Sequence, residues 1–115
     1  MHKTVLVTGN FNVLHPGHIR LFKFAKSCAE KLIVGVFNDK LAGDAIDSPQ
    51  ELRQEAVSSI NLVDKCLLIE TSLIDFITKL KPDIIVKGKE HEHMQNQEIE
   101  ALAQYGGRLI FSSGE

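Results

Sequence analysis

The chain lacks the features that would tie it to a membrane, to nucleic acid or to a disulfide scaffold. It has two cysteines, Cys28 and Cys66, in segments that read as helix and buried strand, with no C-x-x-C and no spacing suited to zinc. Both are expected as reduced core thiols, which points to the cytoplasm. No apolar run approaches the roughly 20 residues of a membrane helix, and the N-terminus lacks the charged-then-apolar build of a signal peptide, so no membrane partner is expected. Charge of one sign is missing as well: thirteen Lys and Arg stand against fifteen Asp and Glu, a formal net charge of -2. That withholds the basic field on which DNA and RNA binding rest, so no nucleic-acid partner is expected. Any polyanion must be small and met by a local cluster.

Two phosphate-binding fingerprints are also absent, the G-x-x-x-x-G-K-[ST] loop and the G-x-G-x-x-G turn. What the 115 residues do contain is an average globular composition, 43% hydrophobic and 24% charged, enough for one domain with one core. Five short apolar runs, at 4–7, 32–37, 66–69, 84–86 and 109–111, suit strands buried on both faces of a parallel sheet. Helical patterning lies between them. The first helix starts near Pro16 and repeats Ile19, Phe22, Ala25 and Ala29. The second opens on Ser48-Pro49-Gln50-Glu51, read as a capping box, with Leu52, Ala56, Val57 and Ile60 as its apolar stripe. A third runs from Thr71 or Ser72 to the residues before Pro82, and a fourth from about Gln97 to Gln104 buries Ile99, Ala101 and Leu102. Residues 39–47 read as a long unstructured loop. Strict strand-helix alternation predicts an α/β, Rossmann-like three-layer sandwich on a five-stranded parallel sheet, with ligand beyond the carboxyl ends of the strands.

The turn after the first strand is the place to search. It reads Thr8-Gly9-Asn10-Phe11-Asn12-Val13-Leu14-His15-Pro16-Gly17-His18. His15 and His18 are three apart, on one helical face, and Gly17 between them opens the helix N-terminal amides to an anion. Two imidazole donors there suit the oxygens of a triphosphate and the charge that grows in phosphoryl transfer. A zinc site on the two histidines is the weaker reading, because no third ligand is evident and glycine fits an anion better. Glu90-His91-Glu92-His93 offers two ligands on each side of an extended segment, which does not make a metal site.

His15-Pro16-Gly17-His18 after a strand ending in Thr-Gly-Asn-Phe resembles the H-x-G-H signature of the cytidylyltransferase-like nucleotidyltransferases. Glu51-Leu52-Arg53 resembles that family's E-x-R element, and Pro82-Asp83-Ile84-Ile85-Val86-Lys87-Gly88 its P-D-x-x-V-K-G strand. The nearest groups by these features are the heptose-phosphate adenylyltransferases and glycerol-phosphate cytidylyltransferases, and the resemblance covers nearly the whole chain. It implies that a phosphate oxygen of a phosphorylated small-molecule acceptor, a sugar or polyol phosphate, attacks the α-phosphorus of ATP or CTP and releases pyrophosphate, with Mg2+ assisting. The implied catalytic residues are His15, His18 and Lys40. Thr8, Gly9, Asn10, Phe11, Gly17, Lys87 and Gly88 would join the histidines around the nucleotide, with Asn10 and Phe11 shaping the turn and covering it. Lys40, Arg53 and Lys89 would meet the acceptor, Arg53 by forking onto a phosphate. A homodimer is compatible with the resemblance.

Two departures matter. The loop after strand two carries Asp44 and Asp47 and no second cation near Lys40, which leaves the acceptor open. The family's Ser/Thr-rich motif after strand five is missing from Ser112-Ser113-Gly114-Glu115, so residues 1–115 are expected to be a nucleotidyltransferase domain cut from a longer chain. The competing readings are a nucleotide-binding module with little turnover and, less suited by length and charge, an aminoacyl-tRNA synthetase fragment.

Overall fold

A computed structural model describes residues 3–112. The last three residues of the chain's final segment, Ser113 to Glu115, lie outside the described part. Five strands, β1 (Thr4–Gly9), β2 (Lys31–Phe37), β3 (Lys65–Ile69), β4 (Ile84–Lys87) and β5 (Arg108–Phe111), form one parallel sheet in the order β3-β2-β1-β4-β5. The α/β sandwich expected from the alternation is therefore the fold found.

Alternate side chains of the strands feed two cores, as the period of two requires. Val5, Val7, Val34 and Val36 pack with Phe22 and Ala25 of α1 (Pro16–Cys28) and Val57 of α3 (Gln50–Ser58). On the opposite face Leu6, Ile33 and Ile85 pack with Ile77 of α4 (Leu73–Leu80) and with Ala101 and Leu102 of α5 (Glu98–Ala103). At the amino edge the main-chain N–H of Thr4 donates to Asp83 Oδ2 at 2.9 Å, and Tyr105 Oη donates to the Pro82 carbonyl at 2.7 Å. No described helix is long and apolar enough to cross a membrane.

The winding direction reverses between β1 and β4, and there the sheet opens. β1 stays paired with β2 as far as Gly9 opposite Val36, yet it pairs with β4 only at Val5–Ile84 and Leu6–Ile85. Beyond those two pairs the carboxyl ends of β1 and β4 diverge, leaving the crevice in which such sheets bind ligands.

Three local expectations need correction. The loop 39–47 is not structureless: Asn38 accepts the Leu41 N–H at 2.9 Å and caps a one-turn helix α2 (Asp39–Ala42), followed by a 3-10 turn at Gly43–Ala45. Ser48 does not cap α3. Its carbonyl is taken by Arg53 Nε at 2.9 Å and its N–H by Asn12 Oδ1 at 3.2 Å, so Pro49 occupies the cap position without a side-chain bond. On α3 and α5 the expected Val57, Ala101 and Leu102 are buried, but Leu52 and Ile99 are not, and a charged neighbour is buried in the place of each. Arg53 is 1% exposed beside Leu52 at 56%, and Glu98 is 3% exposed beside Ile99 at 52%. In each case the buried charge is paired, Arg53 with three carbonyls and Asp39 and Glu98 with Lys87, which offsets the cost of burial.

Candidate active site

Helix α1 begins with a cap built from two histidines. His15 is the N-cap, in extended conformation, and its Nδ1 accepts the Gly17 N–H at 3.0 Å. His18 Nδ1 in turn accepts the His15 N–H at 3.2 Å. The pair thus satisfies two of the donors that a helix start leaves unbonded. Because each Nδ1 is an acceptor, each imidazole is neutral and carries its proton on Nε2. The rings lie 3.9 Å apart between centroids, tilted by 34°. Burial pushes the His18 imidazole below its ordinary pKa, and the adjacent His15 adds to this.

Gly17 does not leave its own amide open to an anion, because that N–H is held by His15 Nδ1 and the next, of His18, by the His15 carbonyl; its missing side chain instead makes room for the cap ring. A Cβ there would sit 2.7 Å from His15 Cε1, so any side chain would push the cap ring out of place. Phe11 is similarly placed by geometry. It takes the left-handed region at φ 50°, turns its ring back beneath Gly9, and would collide at 3.0 Å with a Cβ on that glycine. Its edge contact with His18, centroids 5.3 Å apart, and its packing on Phe22 wedge the His18 imidazole in place. Phe11 therefore belongs to the core under the site and forms part of the cavity wall rather than a lid.

Three adjoining cavities occupy the crevice. One of about 160 Å³ is bounded by Thr8 to Phe11, His18, Lys87, Gly88 and Glu90. A second, about 270 Å³, extends from His15, Gly17 and His18 to Arg20, Lys89 and Ser112. A third, about 330 Å³, lies on the other side of the β1 turn, with Thr8, Asn10 and Lys87 shared with the first. The structure thus brings together Thr8, Gly9, Asn10, Phe11, His15, Gly17, His18, Lys87, Gly88 and Lys89.

Two predicted residues stand elsewhere. Arg53 cannot fork onto a phosphate as it lies. Its Nε donates to Ser48 O, its Nη1 to Asn10 O and Phe37 O at 2.8 Å each, and its Nη2 to Asp39 Oδ1 at 2.9 Å. The residue ties the carboxyl ends of β1 and β2 together from below. Lys40 is exposed on α2 and lines none of the three cavities. Lys89 does reach the crevice, but on the histidine side rather than with the third cavity.

Sequence reasoning missed four contributors. Arg20 lies three residues after Gly17 on the same helical face, a spacing that could have flagged it. Glu90 folds its carboxylate back over Gly88, close enough to exclude a side chain there, with Oε1 3.7 Å from His91 Nε2. Asn96 and Glu98 are tertiary partners with no local signal. Lys87 Nζ reaches Asn96 Oδ1 at 2.6 Å and Glu98 Oε2 at 2.9 Å, while Asn96 Nδ2 donates to the carbonyls of His91 and Met94.

Comparison with known proteins is consistent with this geometry. Residues 6–107 match the model of the cytidylyltransferase-like family. The chain is 37% identical over 99 residues to an FAD synthase of Archaeoglobus profundus, covering 84% of this chain and 63% of that protein. It is 31% identical over 108 residues to the bifunctional protein HldE of Rhodopseudomonas palustris, covering 89% of this chain and 22% of that protein. The chain therefore spans less than two thirds of the first relative and under a quarter of the second. Among solved structures, a lipopolysaccharide core biosynthesis protein from Thermoplasma volcanium superimposes with a TM-score of 0.83 at 25% identity over 98% of both chains. A pantoate-beta-alanine ligase from Francisella tularensis shares the fold, with a TM-score of 0.68 at 19% identity over 96% of this chain and 59% of the ligase.

Proposed function

Since the chain belongs to the cytidylyltransferase-like family of nucleotidyltransferases, we propose that it transfers an adenylyl group from ATP to the phosphate of a small sugar- or polyol-phosphate acceptor. ATP is favoured over CTP because the FAD synthase and HldE relatives both point to adenylyl transfer. An acceptor phosphate oxygen attacks the α-phosphorus, the bond from that phosphorus to the α-β bridging oxygen breaks, and pyrophosphate carries away the electron pair. The attacking oxygen is already anionic, so no general base is required. What the site must supply is position and charge stabilisation.

The observation that carries this reading is the reciprocal cap. It commits both Nδ1 atoms to backbone donors and leaves both Nε2–H groups for phosphate oxygens, as neutral donors that pay no reorganisation as charge develops. Arg20 and Lys89 line the same cavity and add cationic charge for the departing pyrophosphate. Gly88 and Ser112 close the far wall.

A magnesium ion fits the donor set as one brought in on the triphosphate. Glu90 is the single carboxylate among the described residues lining the two histidine-side cavities, and Mg2+ characteristically takes one or two carboxylates and fills its remaining positions with water and substrate phosphate. When bound it would neutralise phosphate charge next to Glu90.

A nucleotide-binding module with little turnover is the second reading, favoured by the burial of Arg53 and the position of Lys40 outside the cavities. Pyrophosphate release from ATP with a panel of phosphorylated acceptors separates the two. Turnover that depends on acceptor supports transfer; ATP binding without release in the presence of every acceptor supports the module.

A further inference from the structure

We infer that the third cavity admits only an uncharged, hydroxyl-bearing acceptor remainder, and that the Lys87–Glu98 ion pair refuses a second anionic group there. The inference rests on the adenylyl-transfer reading, since it concerns what the acceptor carries besides its reacting phosphate.

The cavity shares Thr8, Asn10, Lys87 and His91 with the cavity that holds His18. A single molecule can therefore place its phosphate at the junction and the rest of its atoms in the third cavity. Lys87 is the one lysine or arginine among the described residues lining that space. Its charge is already used: Nζ lies 2.9 Å from Glu98 Oε2 and donates to Asn96 Oδ1 at 2.6 Å. Glu98 is almost fully buried, so little solvent screens the pair.

An incoming carboxylate or second phosphate would meet the Glu98 carboxylate with no free lysine or arginine among the described lining residues to offset it. Taking Lys87 from Glu98 would leave a buried carboxylate without its partner, which is costly. What remains of the polar lining is the amides of Gln95, Gln97 and Asn10, the hydroxyl of Thr8 and the His91 imidazole beside Glu90. Amides and hydroxyls both donate and accept, which is the pairing that sugar or polyol hydroxyls need. Phe37 and Leu73 supply an apolar surface for the carbon skeleton.

The test is calorimetric titration of matched phosphate esters in the presence of a non-hydrolysable ATP analogue. Glycerol 3-phosphate is compared with 3-phosphoglycerate, and glucose 1-phosphate with glucuronic acid 1-phosphate; within each pair a CH2OH is exchanged for a carboxylate. The neutral member of a binding pair should bind at least about tenfold more tightly, from the unscreened repulsion by Glu98. Glu98→Gln, checked for an unchanged circular-dichroism spectrum, leaves the Lys87 cation uncompensated and should bring the ratio to within about threefold of one. Gln95 and Gln97 are exposed, so Gln95→Ala and Gln97→Ala should keep the fold while weakening the neutral member about fivefold and leaving the ATP analogue's affinity unchanged. Equal binding of charged and neutral members to the unsubstituted chain, a ratio unmoved in folded Glu98→Gln, or no binding of either member of any pair overturns the inference. Selective binding of the neutral esters without pyrophosphate release counts against adenylyl transfer and leaves the cavity's selectivity standing.

Discussion

His18 Nδ1 accepts the main-chain N–H of His15 at 3.2 Å while His15 caps the next turn through Gly17. One pair of side chains therefore both starts the helix and presents the Nε2–H donors. The structural and chemical duties of His15 can be separated by choice of substitution. Asn at an N-cap accepts the same backbone donor, so His15→Asn should keep the melting temperature near that of the parent while lowering turnover by roughly a hundredfold, as when a preorganised oxyanion donor is lost. His15→Ala loses the cap as well and should cost about 1 kcal/mol of stability on top. Thermal melts and initial rates on the two variants check this.

Gly17→Ala tests the same geometry from the backbone side. The added Cβ would stand 2.7 Å from His15 Cε1 and displace the ring. Alanine improves helix propensity by about 0.5–1 kcal/mol, which offsets part of the lost cap. The expected outcome is a melting temperature within about 4 °C of the parent and kcat reduced at least about tenfold.

The lowered pKa of His18 sets a pH dependence. Its folded value lies below the unfolded value of about 6.5, because burial and the neighbouring His15 disfavour the imidazolium. The unfolded chain binds this proton first on acidification. Stability from His18 is therefore fully present above pH about 6.5 and is lost as pH falls through the lower folded value. Activity should stay level through pH about 6.5 and decline only as pH falls through the lower folded value, where protonated Nδ1 gives up the His15 N–H. A pH-rate profile that falls on the alkaline side of 6.5 with the same group responsible would contradict the assignment.

Most of this fold could be read in the sequence because its strands are continuous apolar runs and its order is strictly alternating. The crevice was legible for the same reason: a parallel sheet places the turn after β1, and hence His15 and His18, at its carboxyl edge. The periodicity places Val57, Ala101 and Leu102 in the core correctly, but it places Leu52 and Ile99 there instead of Arg53 and Glu98, because apolar periodicity cannot see a charge that is buried with its partners. Arg53 finds three main-chain carbonyls and Asp39, and Glu98 finds Lys87, all supplied by distant segments. The Ser48 capping box failed likewise, its carbonyl and N–H being taken by Arg53 and Asn12. The doubled role of the histidines depends on which nitrogen accepts, which spacing alone does not specify.

Arg53→Met tests the buried network. It leaves the carbonyls of Asn10 and Phe37 and the Asp39 carboxylate without their donor. Urea denaturation should show a loss of about 3 kcal/mol. Where the variant still folds, loosening of the β1 turn should raise the KM for ATP more than it lowers kcat.

The most direct measurement of the central claim is pyrophosphate release from ATP and from CTP, with Mg2+, across glycerol 3-phosphate, sugar 1-phosphates and FMN, run beside His15→Asn. The account predicts release that needs ATP and a sugar or polyol phosphate and that falls roughly a hundredfold in the variant. Release that proceeds equally well in His15→Asn, or ATP bound by the chain with no pyrophosphate formed from any acceptor, would contradict it.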